Sequence, residues 1–255
     1  MLKTRIIPAL LLRDDALVKT VKFDKLNYIG DPINTVRIFN ELEVDELIFL
    51  DITATNEKRL PNLKILAEIA NECFMPLGYG GGLNSFDTVR SIFSIGFEKV
   101  VLNSICYERP QFITQIAEHY GNQAVVVSVD VRKNIWGNYE VYSHAGKTKQ
   151  KKNLIDWVAE LEQLGAGEIL LTAIDKEGTW SGMDINLIKK VTDAVNIPVI
   201  AHGGAGNIQH IGEAVKLGHA SAVALGSMVV FQQKGMGVLV NFPDEHELNK
   251  ILDEI

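Results

Sequence analysis

Eight short apolar, β-branched runs separated by stretches of helical periodicity constrain this 255-residue chain more than any single motif. The runs lie at 5–12, 46–52, 75–80, 98–102, 124–130, 168–174, 197–201 and 220–225. Between them, the segments 33–42, 63–70, 86–95, 112–119, 154–164, 185–195 and 208–217 carry apolar residues three and four apart, as amphipathic helices do. Strands that alternate with helices form parallel sheets, and runs apolar on both faces are buried on both. Eight of them favour a closed (β/α)8 barrel, the TIM-barrel architecture, over an open doubly wound sheet, which is the remaining alternative. A hydrophobic content of 47% over this length suffices for one large core, so a single domain spanning 1–255 is expected.

An internal repeat supports the barrel. At an offset of 122 residues Ile33 matches Ile155, Val36 matches Val158, Leu42 matches Leu164, Glu46 matches Glu168, Pro76 matches Pro198, and Gly81-Gly82 matches Gly203-Gly204. The chain therefore reads as two duplicated half-barrels of four βα units, and a site in one half should have a counterpart across the mouth.

Composition narrows the ligands. With 25 basic and 32 acidic residues the net charge is −7, and no basic block is long enough to track a nucleic-acid backbone. The apolar N-terminal run is too short to span a membrane and no cleavage-site pattern follows it, so a cytoplasmic protein is expected. Cys73 and Cys106 form no Cys-x-x-Cys pair, and the six histidines lack metal-ligand spacing, so neither a metal nor a cofactor is expected. The tract 146–153, GKTKQKKN, reads as a basic mobile loop.

Three groups of residues could carry chemistry. Gly81 and Gly82 follow the third strand, and Gly203 and Gly204 the seventh, each ahead of a helix where bare backbone N–H groups can approach a phosphate. Asn103 and Ser104 after the fourth strand, and Gly226 and Ser227 after the eighth, would complete one clamp per half. A ligand phosphorylated at both ends is implied, although tight turns alone also select glycine. Arg5, Glu46, Lys99 and Glu168 open the first, second, fourth and sixth strands; they read either as a neutral ring closing the barrel floor or as ordinary exposed strand ends. At the opposite end Asp51, Asp130 and Asp175 are candidate carboxylates, with Asp130 foremost because it ends the apolar run AVVVSVD, where packing gives no reason for an acid. Thr172, Thr179 and Lys19 are supporting candidates. His202 reads as a hydrogen-bonding loop residue beside the second glycine cluster.

Several stretches in combination, RIIPAL, GDP at 30–32, DELIFLDITAT, the glycines at 80–82, QAVVVSVD, GAGEILLTAID and GGAG, resemble the cyclase subunit of imidazole glycerol phosphate synthase along most of the chain. The resemblance implies a barrel that receives ammonia at its floor from a separate glutaminase chain, through a charged gate matched by Arg5, Glu46, Lys99 and Glu168. It also implies attack on a bisphosphorylated substrate at the mouth, with Asp130 as one of two catalytic aspartates.

The other aspartate of that pair is replaced by Leu11, which can neither donate nor accept a proton. Glu177 stands where the family usually has aspartate, and Trp180 adds bulk nearby. These departures, together with YIGDPINTVRIFN, resemble a branch associated with amidation of bacterial surface-polysaccharide sugars, in which a separate sugar amidotransferase is a further partner. Three readings result: an ammonia-channelling synthase subunit for sugar amidation, an authentic cyclase of histidine biosynthesis with a rearranged acid–base pair, and a phosphoribosyl isomerase on the related barrel, which also wants two opposed acids and leaves the gate unexplained.

Overall fold

The structure, a computed structural model, describes residues 4–253. Eight parallel strands, β1 (Arg5–Arg13), β2 (Leu47–Asp51), β3 (Leu77–Gly80), β4 (Lys99–Leu102), β5 (Val125–Lys133), β6 (Glu168–Ala173), β7 (Val199–His202) and β8 (Ala222–Leu225), pair in sequence order. Pairing of β8 with β1, Arg5 beside Ala222 through Pro8 beside Leu225, closes the barrel. The open-sheet alternative is thereby excluded.

Among the described residues seven helices of eight residues or more fill the connections: α1 (Pro32–Glu41), α2 (Leu63–Glu72), α3 (Phe86–Ser94), α4 (Gln111–Tyr120), α5 (Leu154–Gln163), α6 (Ile185–Thr192) and α7 (Ile208–Lys216); α8 (Glu245–Asp253) follows β8. Their starts are written in short polar side chains. Asp31 accepts from the Asn34 backbone N–H at 2.8 Å with Pro32 in the first helical position, and Asn62, Ser85, Asn153, Asp184 and Asn207 cap α2, α3, α5, α6 and α7 similarly.

Strand periodicity divides the core in two. Outward residues such as Phe39, Phe49, Phe112 and Trp157 belong to the layer between strands and helices, whereas Ile7, Ala9, Ile48, Val101, Val126, Leu170, Ile200, Ala222 and Ala224 form a separate cluster inside the barrel. Gly78 faces this inner cluster as well, since a Cβ there would lie 3.3 Å from Ile48 Cγ1 and 3.8 Å from Val101 Cγ2. This inner layer is apolar, with Gly78 and three alanines set among isoleucine, valine and leucine side chains.

β1 and β5 run nine residues each, longer than the apolar pattern predicts, because both leave the barrel as antiparallel ribbons. β1 continues against Ala16–Lys19, which pairs in turn with Asn27–Gly30. β5 continues against Tyr139–Ser143, which pairs with Thr148–Lys149. The basic tract 146–153 is therefore partly strand, held by Lys149 to Glu140 at 2.7 Å and Lys152 to Glu160 at 2.5 Å, rather than a free loop. Alternation was too short in these ribbons to show in the sequence. No helix among the described residues is long and apolar enough to cross a membrane.

Candidate functional site at the two ends of the barrel

At the floor, Arg5, Glu46, Lys99 and Glu168 meet in one closed circuit. Arg5 Nη1 lies 2.6 Å from Glu46 Oε2 and its Nη2 lies 2.7 Å from Glu168 Oε1. Lys99 Nζ donates to both Glu46 oxygens at 2.9 Å and to Glu168 Oε2 at 3.2 Å. Two cations and two carboxylates leave no net charge, and each acid is satisfied from both sides. That satisfaction permits Glu46 to be only 2% exposed, since an isolated carboxylate there would be too costly to desolvate. For Arg5, burial pulls the guanidinium down, but Glu168 and Glu46 outweigh it and hold its pKa above the usual value. The ring is the lowest layer of the bore, directly beneath Ile7, Gly78 and Val126.

At the mouth, Asp130 is buried with both oxygens engaged. Ser128 Oγ donates to Oδ1 at 3.0 Å, and Asn103 Nδ2 donates to Oδ2 at 3.2 Å. Burial pushes its pKa up to about 7, against the pull of the Ser128 and Thr172 hydroxyls. Thr172 is its direct neighbour on β6 and shares a 3.1 Å hydrogen bond with His202 Nδ1. His202 ends β7 as a buried strand residue, correcting the expectation of a loop position. Burial, reinforced by the charge of Lys19, lowers its pKa to about 3, so the imidazole is neutral at physiological pH.

Leu11 stands where a second acid would face Asp130. It pairs with Leu50 on β2 as Asp130 pairs with Thr172 on β6, and Leu50 and Thr172 each lie four residues beyond Glu46 and Glu168. Asp14 and Asp15 do not replace it; they sit exposed in the turn after β1, where Asp15 accepts from Asn62 Nδ2 at 2.7 Å.

Lys19 belongs to the first ribbon, and it reaches past the end of β8, the neighbour of β1, to the loop after β6. Its ammonium contacts Glu177, and a Cβ on Gly226 would lie 2.7 Å from Lys19 Cε and 3.6 Å from His202 Nε2. Burial pulls the Lys19 pKa down to about 7, with its ammonium set against the Glu177 carboxylate. Glu177 also accepts from Thr20 Oγ1 at 3.2 Å, and its carbonyl accepts from Lys22 N–H at 2.9 Å, tying the first ribbon to the loop after β6.

The glycine turns sit where the motif places them. A Cβ on Gly81 would lie 2.5 Å from the Asp51 carbonyl and one on Gly203 2.8 Å from the Ala173 carbonyl, both at positive φ, so the turns demand glycine whatever they bind. Gly82 N–H donates to Thr55 Oγ1 at 3.3 Å, and Ser104 Oγ accepts from His144 N–H at 3.0 Å. Gly204 receives Gly182 N–H through its carbonyl at 3.0 Å, while Gly226 and Ser227 open a short helix (Ser227–Val230) beneath Lys19.

Two other carboxylates lie away from Asp130. Asp51 is bound by Arg59 at 2.8 and 2.9 Å and by the Thr53 and Ala54 amides, so it fixes the loop after β2. Asp175 accepts from Lys133 N–H at 2.7 Å on the outer rim, and Thr179 Oγ1 donates to the Lys176 carbonyl at 2.7 Å within its own loop. Ser128 was missed from sequence; its place two residues before Asp130 in an otherwise aliphatic strand, and hence on the same face, was the available signal.

The sequence pattern described as histidine biosynthesis protein matches residues 5–234. A Pseudomonas aeruginosa protein named "Putative imidazole glycerol phosphate synthase subunit hisF2" is 45% identical over 249 residues, covering 98% of this chain and 99% of its own length. A Leptospira borgpetersenii protein bearing the same description as subunit HisF is 44% identical over 245 residues, covering 96% of both chains. The imidazole glycerol phosphate synthase subunit HisF of Alkaliphilus metalliredigens is 41% identical over 233 residues, covering 91% of this chain and 92% of its own. The closed barrel, its two charged ends and these near full-length matches place the chain in the HisF-like histidine biosynthesis protein family.

Proposed function

We propose that this chain is the synthase subunit of a glutamine amidotransferase complex, taking ammonia from a glutaminase chain at the barrel floor for amidation of a bacterial surface-polysaccharide sugar in the cytoplasm. The observation that carries the reading is the contrast along the bore: a complete charged ring at one end and Leu11 opposite Asp130 at the other. In this reading Arg5, Glu46, Lys99 and Glu168 are the ammonia gate. An ammonium ion entering the bore would meet Ile7, Ala9, Ile48 and Val101 with no counter-charge, whereas neutral ammonia loses far less on desolvation. The bore thus discriminates for the uncharged species.

At the mouth Asp130 is the proton-carrying group. Gly81, Gly82, Asn103 and Ser104 on one side, and Lys19, Thr172, Gly203, Gly204, Gly226 and Ser227 on the other, hold a phosphorylated small-molecule ligand. The 122-residue offset is read as half-barrel duplication within one domain, and the sugar amidotransferase as a further partner.

One observation favours a second reading, an authentic cyclase. The hydrogen-bonded neighbours Asp130, Thr172 and His202 bring another proton-carrying group to the mouth despite Leu11. Association tests the part common to both readings. Copurification with a glutaminase chain, and glutamine hydrolysis that rises on mixing, are expected; two chains that neither associate nor change glutamine hydrolysis would remove the channel reading.

A further inference from the structure

The ribbon that continues β5 ends in a turn whose two most prominent side chains have no place in the barrel. Ile135 is 89% exposed and its neighbour Trp136 is 78% exposed. A turn that only joined two strands would be served by polar residues, and an adjacent isoleucine and tryptophan held in water is unfavourable unless something covers them. Nor is the tip loose. Asn134 Oδ1 accepts from the Trp136 and Asn138 amides at 3.0 Å, Asn134 N–H donates to the Asn138 carbonyl at 2.9 Å, and Gly137 N–H returns to the Asn134 carbonyl at 2.9 Å. Asn134 Nδ2 further donates to Glu140 at 2.8 Å across the ribbon. The ordering entropy that a flexible tip would lose on binding is already spent in the free chain.

The surroundings carry the opposite charge to the rest of the molecule. Beside the tip, a groove of about 520 Å³ between the ribbon and α6 is lined by Lys133, Tyr139, Lys189 and Lys190, among others. Lys133 is matched by Asp184 and Lys189 by Asp193, but Lys190, which lies 5.9 Å from the Tyr139 ring, is paired with no carboxylate among the described residues. On a chain of net charge −7, the unmatched Lys190 gives this groove a local excess of positive charge.

We propose that Ile135 and Trp136 dock into an apolar recess, bordered by carboxylates, on a second protein, and that this protein is the enzyme that consumes the ammonia. The identity of the partner rests on the functional reading above; the surface itself rests on the tip and its charge. The tip belongs to the strand that carries Asp130, so its occupant sits at the mouth end and leaves the floor free for the glutaminase. Tryptophan at the centre of such a contact is the residue type that most often dominates binding energy. A two-fold contact between copies of this chain would set Lys190 and the groove's other lysines against their like-charged counterparts, and one unmatched cation is too few to follow a nucleic-acid backbone.

The test starts in cells, with a photoreactive phenylalanine derivative at position 135 and identification of what it captures. Support requires that the captured protein, once purified, have ammonia-dependent amidating activity and bind the complex of this chain with its glutaminase. Trp136→Ala must then weaken that binding by about 10- to 100-fold, and Lys190→Glu must weaken it and flatten its salt dependence. Glutaminase association must stay unchanged in both variants. Equal binding by Trp136→Ala, capture only of a second copy, nucleic acid or lipid, or no capture in cells where the glutaminase complex forms would each overturn the proposal. If the glutaminase complex itself does not form, the functional reading fails, and a Trp136-dependent interaction with a protein that does not use ammonia would overturn the partner assignment alone.

Discussion

At the floor of the barrel four charged side chains from β1, β4, β6 and the turn before β2 balance one another within hydrogen-bond distance; at the mouth Asp130 shares its layer with Leu11, Leu50, Thr172 and His202. Both ends are buried, yet their electrostatics differ. The floor satisfies every charge it holds, each acid being met by both cations. At the mouth Glu177 is matched by Lys19, whereas Asp130 has hydroxyl neighbours that do not fully offset burial, which leaves its carboxyl near the midpoint of titration at neutral pH. An end with matched charges can admit or exclude a small molecule without changing protonation. An end with one poised acid can exchange a proton, but it lacks an opposed partner in the first strand.

The largest expected effect breaks the floor. Glu46→Ala removes the acid shared by Arg5 and Lys99 and leaves buried cations half-matched, so denaturant unfolding should show a loss of about 3–5 kcal/mol. Replacing all four members together with apolar residues of similar volume should leave stability within about 2 kcal/mol of the parent or raise it, while uncoupling the chain from a glutaminase partner. A quadruple variant that loses as much stability as Glu46→Ala would show that the ring serves folding rather than passage.

At the mouth the next effect depends on pH. The folded-state pKa of Asp130 is raised, so its proton is bound more tightly in the folded chain, and the associated stability is complete below about pH 4 and lost as pH rises through about 7. Asp130→Asn should therefore be more stable than the parent above pH 7, by at most about 4 kcal/mol, with the advantage vanishing near pH 4. Thermal unfolding from pH 4 to 8 reads this directly, and parallel curves for the two proteins would contradict it.

Leu11→Asp makes the mouth resemble a two-acid site and should have the smallest effect on stability. A second buried carboxylate near Asp130 should cost about 1–3 kcal/mol at pH 8 and less at pH 5, where either acid can take a proton. A cost independent of pH would mean that the new side chain turns away from Asp130.

Much of this contrast was legible in the sequence. The eight apolar runs, the glycine turns and the charged openings of four strands lie at the periods a parallel barrel requires, so the side chains that meet at the floor could be named beforehand. The ribbons after β1 and β5 could not, because four-residue strands edged with polar side chains look like loops until their partners are known. His202 looked like part of a glycine-rich turn, and only pairing with β6 reveals that it closes a strand. The path of Lys19 past the end of β8 to Glu177 and Gly226 depends on how one ribbon bends, which local periodicity does not encode.

In the proposed function the floor takes ammonia while the mouth, with Leu11 opposite Asp130, does not cyclise. This is tested most directly by supplying the purified chain with ammonium salts and the bisphosphorylated substrate of imidazole glycerol phosphate synthase, which bypasses any glutaminase, and measuring turnover. Loss of one member of an acid–base pair should leave the rate about 10²–10⁴-fold below that of a HisF subunit bearing both acids. Turnover by the unmodified chain at the rate of such a subunit would contradict the account and make this protein a cyclase in which Asp130 works with another group.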